Sequence, residues 1–194
     1  MQRKNPYTRD LILSLLKDST KTKNLASTRE AYSRIVKTGF DSVSFYGDHL
    51  IRSLASCGSF CEAHHVFSVL PCRTVHTWHA IMSASTKLGD GHAALMFFDH
   101  MYSQGISPDK YVVTCYFKAC GLVKDLHRAM VMHNVVMTDG HDSSEAVGSA
   151  LIDMYMMCDR IDEGLRVFET LSCRDVVSWE TAISGLVGKS DGLR

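Results

Sequence analysis

The chain has 194 residues, 21 basic and 21 acidic side chains, a formal net charge of zero and 45% hydrophobic residues. The length suffices for one domain or two with a buried core, and a charged fraction of 22% with 9% aromatics excludes wholesale disorder. Zero net charge excludes a uniformly basic nucleic-acid surface, no apolar run reaches membrane-spanning length, and seven cysteines without a C-x-x-C pair argue against a disulfide framework.

In chain order, residues 1–8 are an N-terminal segment, and the apolar run Leu11–Leu16 behind Asp10 is too short for a secretory signal. The Lys, Arg, Ser and Thr content there faintly resembles an organelle transit peptide, against which Asp10 and Asp18 count. Few prolines interrupt the chain, so long stretches are free to be helical. The spacing predicts a helix from Thr77 to Leu88, ended by Gly89-Asp90-Gly91. A second follows from His92 to Ser103, with Ala94, Phe97, Phe98 and Met101 on one face. Gly105 then suits a left-handed position after a helix, and Pro108 cannot continue one. Further helices are predicted at Tyr111–Cys120, with a turn at Gly121, and at Leu126–Met137. The last pair is Ser149–Met157 and Asp162–Thr170, around a turn at Cys158-Asp159-Arg160.

Sliding the chain against itself by 101 residues aligns Leu50, Ile51 and Cys57 with Leu151, Ile152 and Cys158. The same shift aligns Glu62, Val66, Phe67 and Leu70 with Glu163, Val167, Phe168 and Leu171, and Trp78 with Trp179. Residues 9–93 against 110–194 give 21 identities in 85 pairs, where unrelated sequence gives roughly 5. A period of 101 is too long for one supersecondary unit. The alternating helices and short loops therefore predict an all-α fold, a right-handed α-solenoid of helical-hairpin repeats.

The run from Gly148 to Leu186, GSALIDMYMMCDRIDEGLRVFETLSCRDVVSWETAISGL, resembles the pentatricopeptide-repeat (PPR) proteins of plants. More narrowly it is similar to their PLS subclass, whose cycle of about 35, 35 and 31 residues adds up to the observed shift of 101. The stretches beginning GDHLIRSLASCG and ISPDKYVVTCYFKACG resemble two further repeat junctions of that cycle. The resemblance implies a degenerate L-like repeat at 9–43, an S-like repeat at 44–74 and a P-like repeat at 75–109. An L-like repeat at 110–144, an S-like repeat at 145–175 and a partial P-like repeat at 176–194 follow. Tetratricopeptide repeats, also helical hairpins, have a period of 34 that does not fit.

The resemblance implies single-stranded RNA binding, one base per helical repeat, each read by two or three side chains. It places base reading on the fifth and the last residue of each repeat. Those positions hold Asp48 and Thr74, His79 and Asp109, Thr114 and Ser144, Ser149 and Asp175, and Glu180 in the partial repeat. Only Ser149 with Asp175 matches a familiar pair, which implies guanine; Asp109 leans its repeat towards a keto base. His79 and Glu180 stand where such proteins usually have Asn, Ser or Thr. Second-position residues that would stack on bases are Phe45, His76, Tyr111, Ala146 and Val177. Base contacts at about 1–3 kcal/mol each, less ordering costs, give micromolar affinity at best.

No cofactor, metal or small-molecule substrate is implied. The cluster Cys57, Cys61, His64 and His65 has the residue types of a metal site, but Cys57 recurs as Cys158 in a packing position. The chain has neither the His-x-Glu nor the C-x-x-C of the zinc deaminases that end many PLS proteins, so it reads as non-catalytic. The expected role is a sequence-selective adaptor on organellar RNA in C-to-U editing, processing or stabilisation. Its partners would be single-stranded organellar RNA, with editing-complex or other PPR proteins, and no membrane. The implied location is the mitochondrion, with the chloroplast as the alternative. A second class stays open: a protein-interaction scaffold using the same solenoid groove.

Overall fold

The computed structural model describes residues 6–40, 43–138, 145–171, 179, 180, 183 and 184. Among the described residues ten helices of full length follow one another and no strand occurs. They are α1 (Pro6–Thr22), α2 (Leu25–Lys37), α3 (Ser44–Ser56), α4 (Phe60–Val69) and α5 (Val75–Lys87). Then come α6 (Gly91–Ser103), α7 (Lys110–Val123), α8 (Leu126–Thr138), α9 (Glu145–Met157) and α10 (Ile161–Thr170). Pro6 opens α1 at the first helical position, where its missing N–H costs nothing, so the helix takes in part of the expected N-terminal segment. The second helices differ in length: α4 and α10 have 10 residues each, α2, α6 and α8 have 13.

The chain divides into two units, residues 1–85 and 86–194. In the first, α1 packs on α2 and α3, and α3 on α4. Ile12, Leu16, Ile35, Leu50, Ile51 and Leu54 are fully buried there. Trp78 meets Phe67 edge-on at 4.9 Å between centroids. A buried hydroxyl chain links three helices: Ser53 Oγ lies 2.8 Å from Ser19 Oγ and 2.9 Å from Thr28 Oγ1. In the second unit α7 is central, packed on α6, α8 and α9, with α10 against α9. Its core holds Phe97, Phe98, Met101, Val112, Phe117, Ile152 and Met154.

The 101-residue repeat returns as geometry inside each unit. Phe168 meets Trp179 edge-on at 4.8 Å, as Phe67 meets Trp78. A Cβ on Gly47 would lie 2.6 Å from Leu70, and one on Gly148 would run into Leu171. Lys23 and Lys124 both take positive φ, 52° and 55°. The residue after each donates back to the end of its helix, Asn24 N to Ser19 O at 3.1 Å and Asp125 N to Cys120 O at 3.0 Å.

One sequence expectation is overturned. Gly121 does not mark a turn; it lies inside α7, and the chain turns at Lys124. The physical reason is close packing: a Cβ on Gly121 would come within 2.8 Å of Met157 Sδ, so the glycine serves the contact of α7 with α9. The left-handed residue after α6 is Gly105 (φ 73°), as its place predicts.

Cysteine environments separate cleanly. Cys115 and Cys120 are buried, Cys61 and Cys72 are exposed. Burial, followed by the nearby Asp125 charge, pushes the Cys120 thiol up to about 12. Since the thiolate is the reactive species, iodoacetamide at pH 8 should label Cys61 and Cys72 in the native protein. Cys115 and Cys120 should react only after denaturation, as peptide mass spectrometry would show.

Candidate nucleic-acid interface

In the first unit, α3 presents Phe45, Asp48, His49 and Arg52 at helical spacing on one face. Phe45 is 43% exposed and meets His49 edge-on at 4.9 Å. The Arg9 guanidinium sits 5.8 Å from the Phe45 ring centroid. An exposed aromatic beside a cation is the pairing that a stacked base and its phosphate require.

Asp48 is half-buried, and its Oδ1 is buried without a hydrogen-bond partner. Burial holds its carboxyl above the usual carboxylate range; the nearby Thr77 hydroxyl, then His76 and Arg52, oppose that shift. Thr74 N donates to Thr77 Oγ1 at 3.1 Å, and the two threonine hydroxyls are 3.2 Å apart. The fifth and the last residue of the 44–74 stretch thus converge on one residue of the following helix. Thr77 was not among the sequence candidates, although Thr-x-x-Thr at the start of α5 is a legible capping signal. His79 is half-buried on the same helix, and His76 is exposed.

In the second unit, Asp109 caps α7: its Oδ1 accepts from Tyr111 N at 3.0 Å and Val112 N at 2.9 Å. Its carboxylate therefore serves the helix first, with one oxygen engaged. Tyr111 is 51% exposed, with Lys110 Nζ 5.2 Å from its ring centroid. Thr114 is half-buried and donates its hydroxyl to Lys110 O at 2.7 Å, which leaves its oxygen only acceptor capacity. Ser149, 9% exposed, is the most buried of the described fifth-position residues, and Glu180 is exposed. Ala146 is exposed. Ser144, Asp175 and Val177 lie outside the described residues.

The cysteine and histidine run has other work. Cys57 Sγ lies 3.6 Å from Thr28 Oγ1, at the end of the buried hydroxyl chain, and Cys61, His64 and His65 are exposed. Among the described residues no group of three or more His, Cys, Asp or Glu side chains could hold a metal ion.

Helical hairpins with an exposed aromatic and a polar pair at the start of successive repeats define a class, the helical-repeat proteins. Two stretches, residues 76–106 and 149–176, match the family model described as PPR repeat. The chain is 30% identical over 189 residues to the chloroplastic pentatricopeptide repeat-containing protein DOT4 of Arabidopsis thaliana, covering 97% of this chain and 21% of that protein. It is 31% identical over 185 residues to a mitochondrial pentatricopeptide repeat-containing protein of the same plant, covering 95% and 29%. The chain thus spans less than a third of the length of these relatives. Among solved structures, it is similar to the pentatricopeptide repeat protein PPR10 in complex with an 18-nucleotide psaJ RNA element, with TM-score 0.70 and 15% identity, over 82% of this chain and 24% of that one. It is also similar to PPR10 from maize alone, with TM-score 0.66 and 15% identity, over 90% and 26%. At that identity the likeness shows the fold: α-helical hairpins of the PPR solenoid type.

Proposed function

We propose that the chain is a repeat segment of a plant organellar PPR protein that binds single-stranded RNA, one base per repeat, and acts as an adaptor without chemistry of its own. The observation that carries this reading is the exposed Phe45 on one face of α3 with the half-buried Asp48, beside Thr77, to which Thr74 is hydrogen-bonded. A base stacked on the aromatic would have its polar edge within reach of Asp48 and Thr74. The PLS subclass is supported by the unslipped 101-residue period and by the two shortened second helices, α4 and α10. The repeat boundaries follow from the same period. Relatives named as chloroplastic and as mitochondrial support an organellar location; we assign the mitochondrion, with the chloroplast as the alternative. Editing, processing or stabilisation of a transcript are the roles such an adaptor would serve, with editing-complex or other PPR proteins beside it. A scaffold role has one observation in its favour, the exposed apolar residues Met130, Val131, Val135 and Met137 on α8.

The 101-residue shift makes Ser149 and Asp175 the counterparts of Asp48 and Thr74. A carboxylate accepts the N1 and N2 hydrogens of guanine, while an amide can also donate, which suits adenine. Asp175→Asn should therefore move preference at one nucleotide from G towards A by about 1–2 kcal/mol, if base readout energies in DNA carry over. Neighbouring nucleotides should be unaffected. Competition between oligoribonucleotides differing at one position measures this. Unchanged preference would remove Ser149 and Asp175 from the base-reading set, and absence of RNA binding by the native chain would favour the scaffold.

A further inference from the structure

The 101-residue repeat carries a buried polar cluster from the first unit into the second and changes its chemistry. In the first unit the cluster is the hydroxyl chain of Ser19, Thr28 and Ser53, with Cys57 Sγ 3.6 Å from Thr28 Oγ1 and 3.9 Å from Ser19 O. The shift puts Cys120, Ala129, Met154 and Cys158 in the places of Ser19, Thr28, Ser53 and Cys57. Hydroxyls that donate and accept hydrogen bonds are exchanged for sulfurs and a methyl group.

The packing of the second unit brings three sulfurs into one place. Cys120 lies on α7, Met154 on α9, and Cys158 directly after α9. The two helices pack against each other. Cys158 Sγ lies 4.0 Å from Met154 Sδ. The Cys120 thiol, whose acidity burial and then Asp125 weaken, also interacts electrostatically with Cys158. Cys120 and Met154 are fully buried, while Cys158 is partly exposed. The cluster is therefore closed towards the core and reached from the turn after α9. Ala129, also fully buried, brings no hydroxyl to it.

We infer that Cys120, Met154 and Cys158 form a binding site for a soft monovalent cation, copper(I), that ties α7 to α9. Thiolate and thioether sulfurs select soft metals. Zinc closes a structural site with four ligands, and among the described residues no group of three His, Cys, Asp or Glu side chains could supply them. Copper(I) is satisfied by three sulfurs. With bonds of about 2.3 Å, the zinc–thiolate length, a planar trigonal site has sulfur–sulfur edges of about 4.0 Å, the separation already present between Cys158 and Met154. On binding, each thiol gives its proton to solvent and the metal takes the place of both. The site would do in the second unit what the hydroxyl chain does in the first, joining packed helices through their buried polar atoms.

The test is copper(I) uptake by the full chain, reduced and kept free of oxygen, from the coloured complex of copper(I) with bicinchoninate. The native chain should withdraw one copper(I) per molecule. C120S and C158S should each lose that uptake. M154L keeps the side-chain volume and so the fold, and removes only the thioether. It should surrender its copper at a lower bicinchoninate concentration than the native chain. The double variant C61S/C72S, at the exposed cysteines, should take up as much as the native chain. No uptake by the native chain, uptake kept in C120S and C158S, uptake lost in C61S/C72S, or an M154L variant equal to the native chain would overturn the site. Circular dichroism of each variant without copper separates a lost ligand from a lost fold. If the serine variants are unfolded, M154L decides alone.

Discussion

Trp78→Ala should cost about 3–5 kcal/mol, the range for removing a large aromatic from a core that cannot collapse around the cavity. Trp78 has 0% exposure and packs edge-on against Phe67 at 4.9 Å. A domain has about 5–15 kcal/mol of stability in all, so the loss should leave the first unit partly unfolded at room temperature. Trp179 is the control built into the repeat. It holds the same edge-on contact with Phe168, at 4.8 Å, but is 50% exposed. Its replacement by alanine should cost about 1–2 kcal/mol, because roughly half of its surface is never removed from water. Urea denaturation followed by circular dichroism compares the two. Equal costs would show that the aromatic pair, rather than burial, sets the energy.

Gly91→Ala is expected to destabilise the second unit by about 2–3 kcal/mol, the upper part of the range for overpacking. A Cβ there would lie 2.8 Å from the backbone oxygen of Ala119, 2.8 Å from Val123 Cγ1 and 3.0 Å from Leu122 Cβ. A side chain can rotate away, but a carbonyl inside α7 cannot, so α6 and α7 must separate. Against this stands the usual gain of about 0.5–1 kcal/mol when alanine replaces glycine in a helix interior. That gain is smaller at the first residue of α6, and the clash wins. The three atoms nearest a Cβ on Gly47 all belong to the side chain of Leu70, which can move, so the cost of Gly47→Ala should be lower. Thermal melting of both variants checks the order. A Gly91 variant at least as stable as the native protein would mean that α6 shifts without loss.

The all-α class, the hairpin alternation and the period were legible in the residues because each is local or one-dimensional. Helical periodicity needs only a window of a few turns, and caps such as Asp90 and Asp109 act within three residues of themselves. The same holds for the aligned pairs Phe67–Trp78 and Phe168–Trp179: their spacing along the chain is kept by the shift, and the edge-on contact recurs with it.

What only the tertiary structure decided were matters of approach between helices. Gly121 reads as a turn when taken with its neighbours along the chain, because glycine ends helices more often than it lines them. Its contact is with Met157, thirty-six residues on, and only the packing of α7 on α9 explains it. In the sequence Ser149 with Asp175 stands out among the fifth and last residues as the one familiar pair, yet the packing orders them differently: Thr74 is hydrogen-bonded to Thr77 beside Asp48, Asp109 caps α7, and Ser149 is nearly buried. Likewise, composition reports only that positive and negative charges balance. Which cations are neutralised depends on which side chains face one another across helices, as Arg29 faces Glu62 at 2.6 Å while Lys17 and Arg52 face no carboxylate within ion-pair distance among the described residues. Local signals are encoded within a few residues and so determine the helices and their order; partner choice is a property of distances between residues far apart in the chain, and those exist only once the helices have packed.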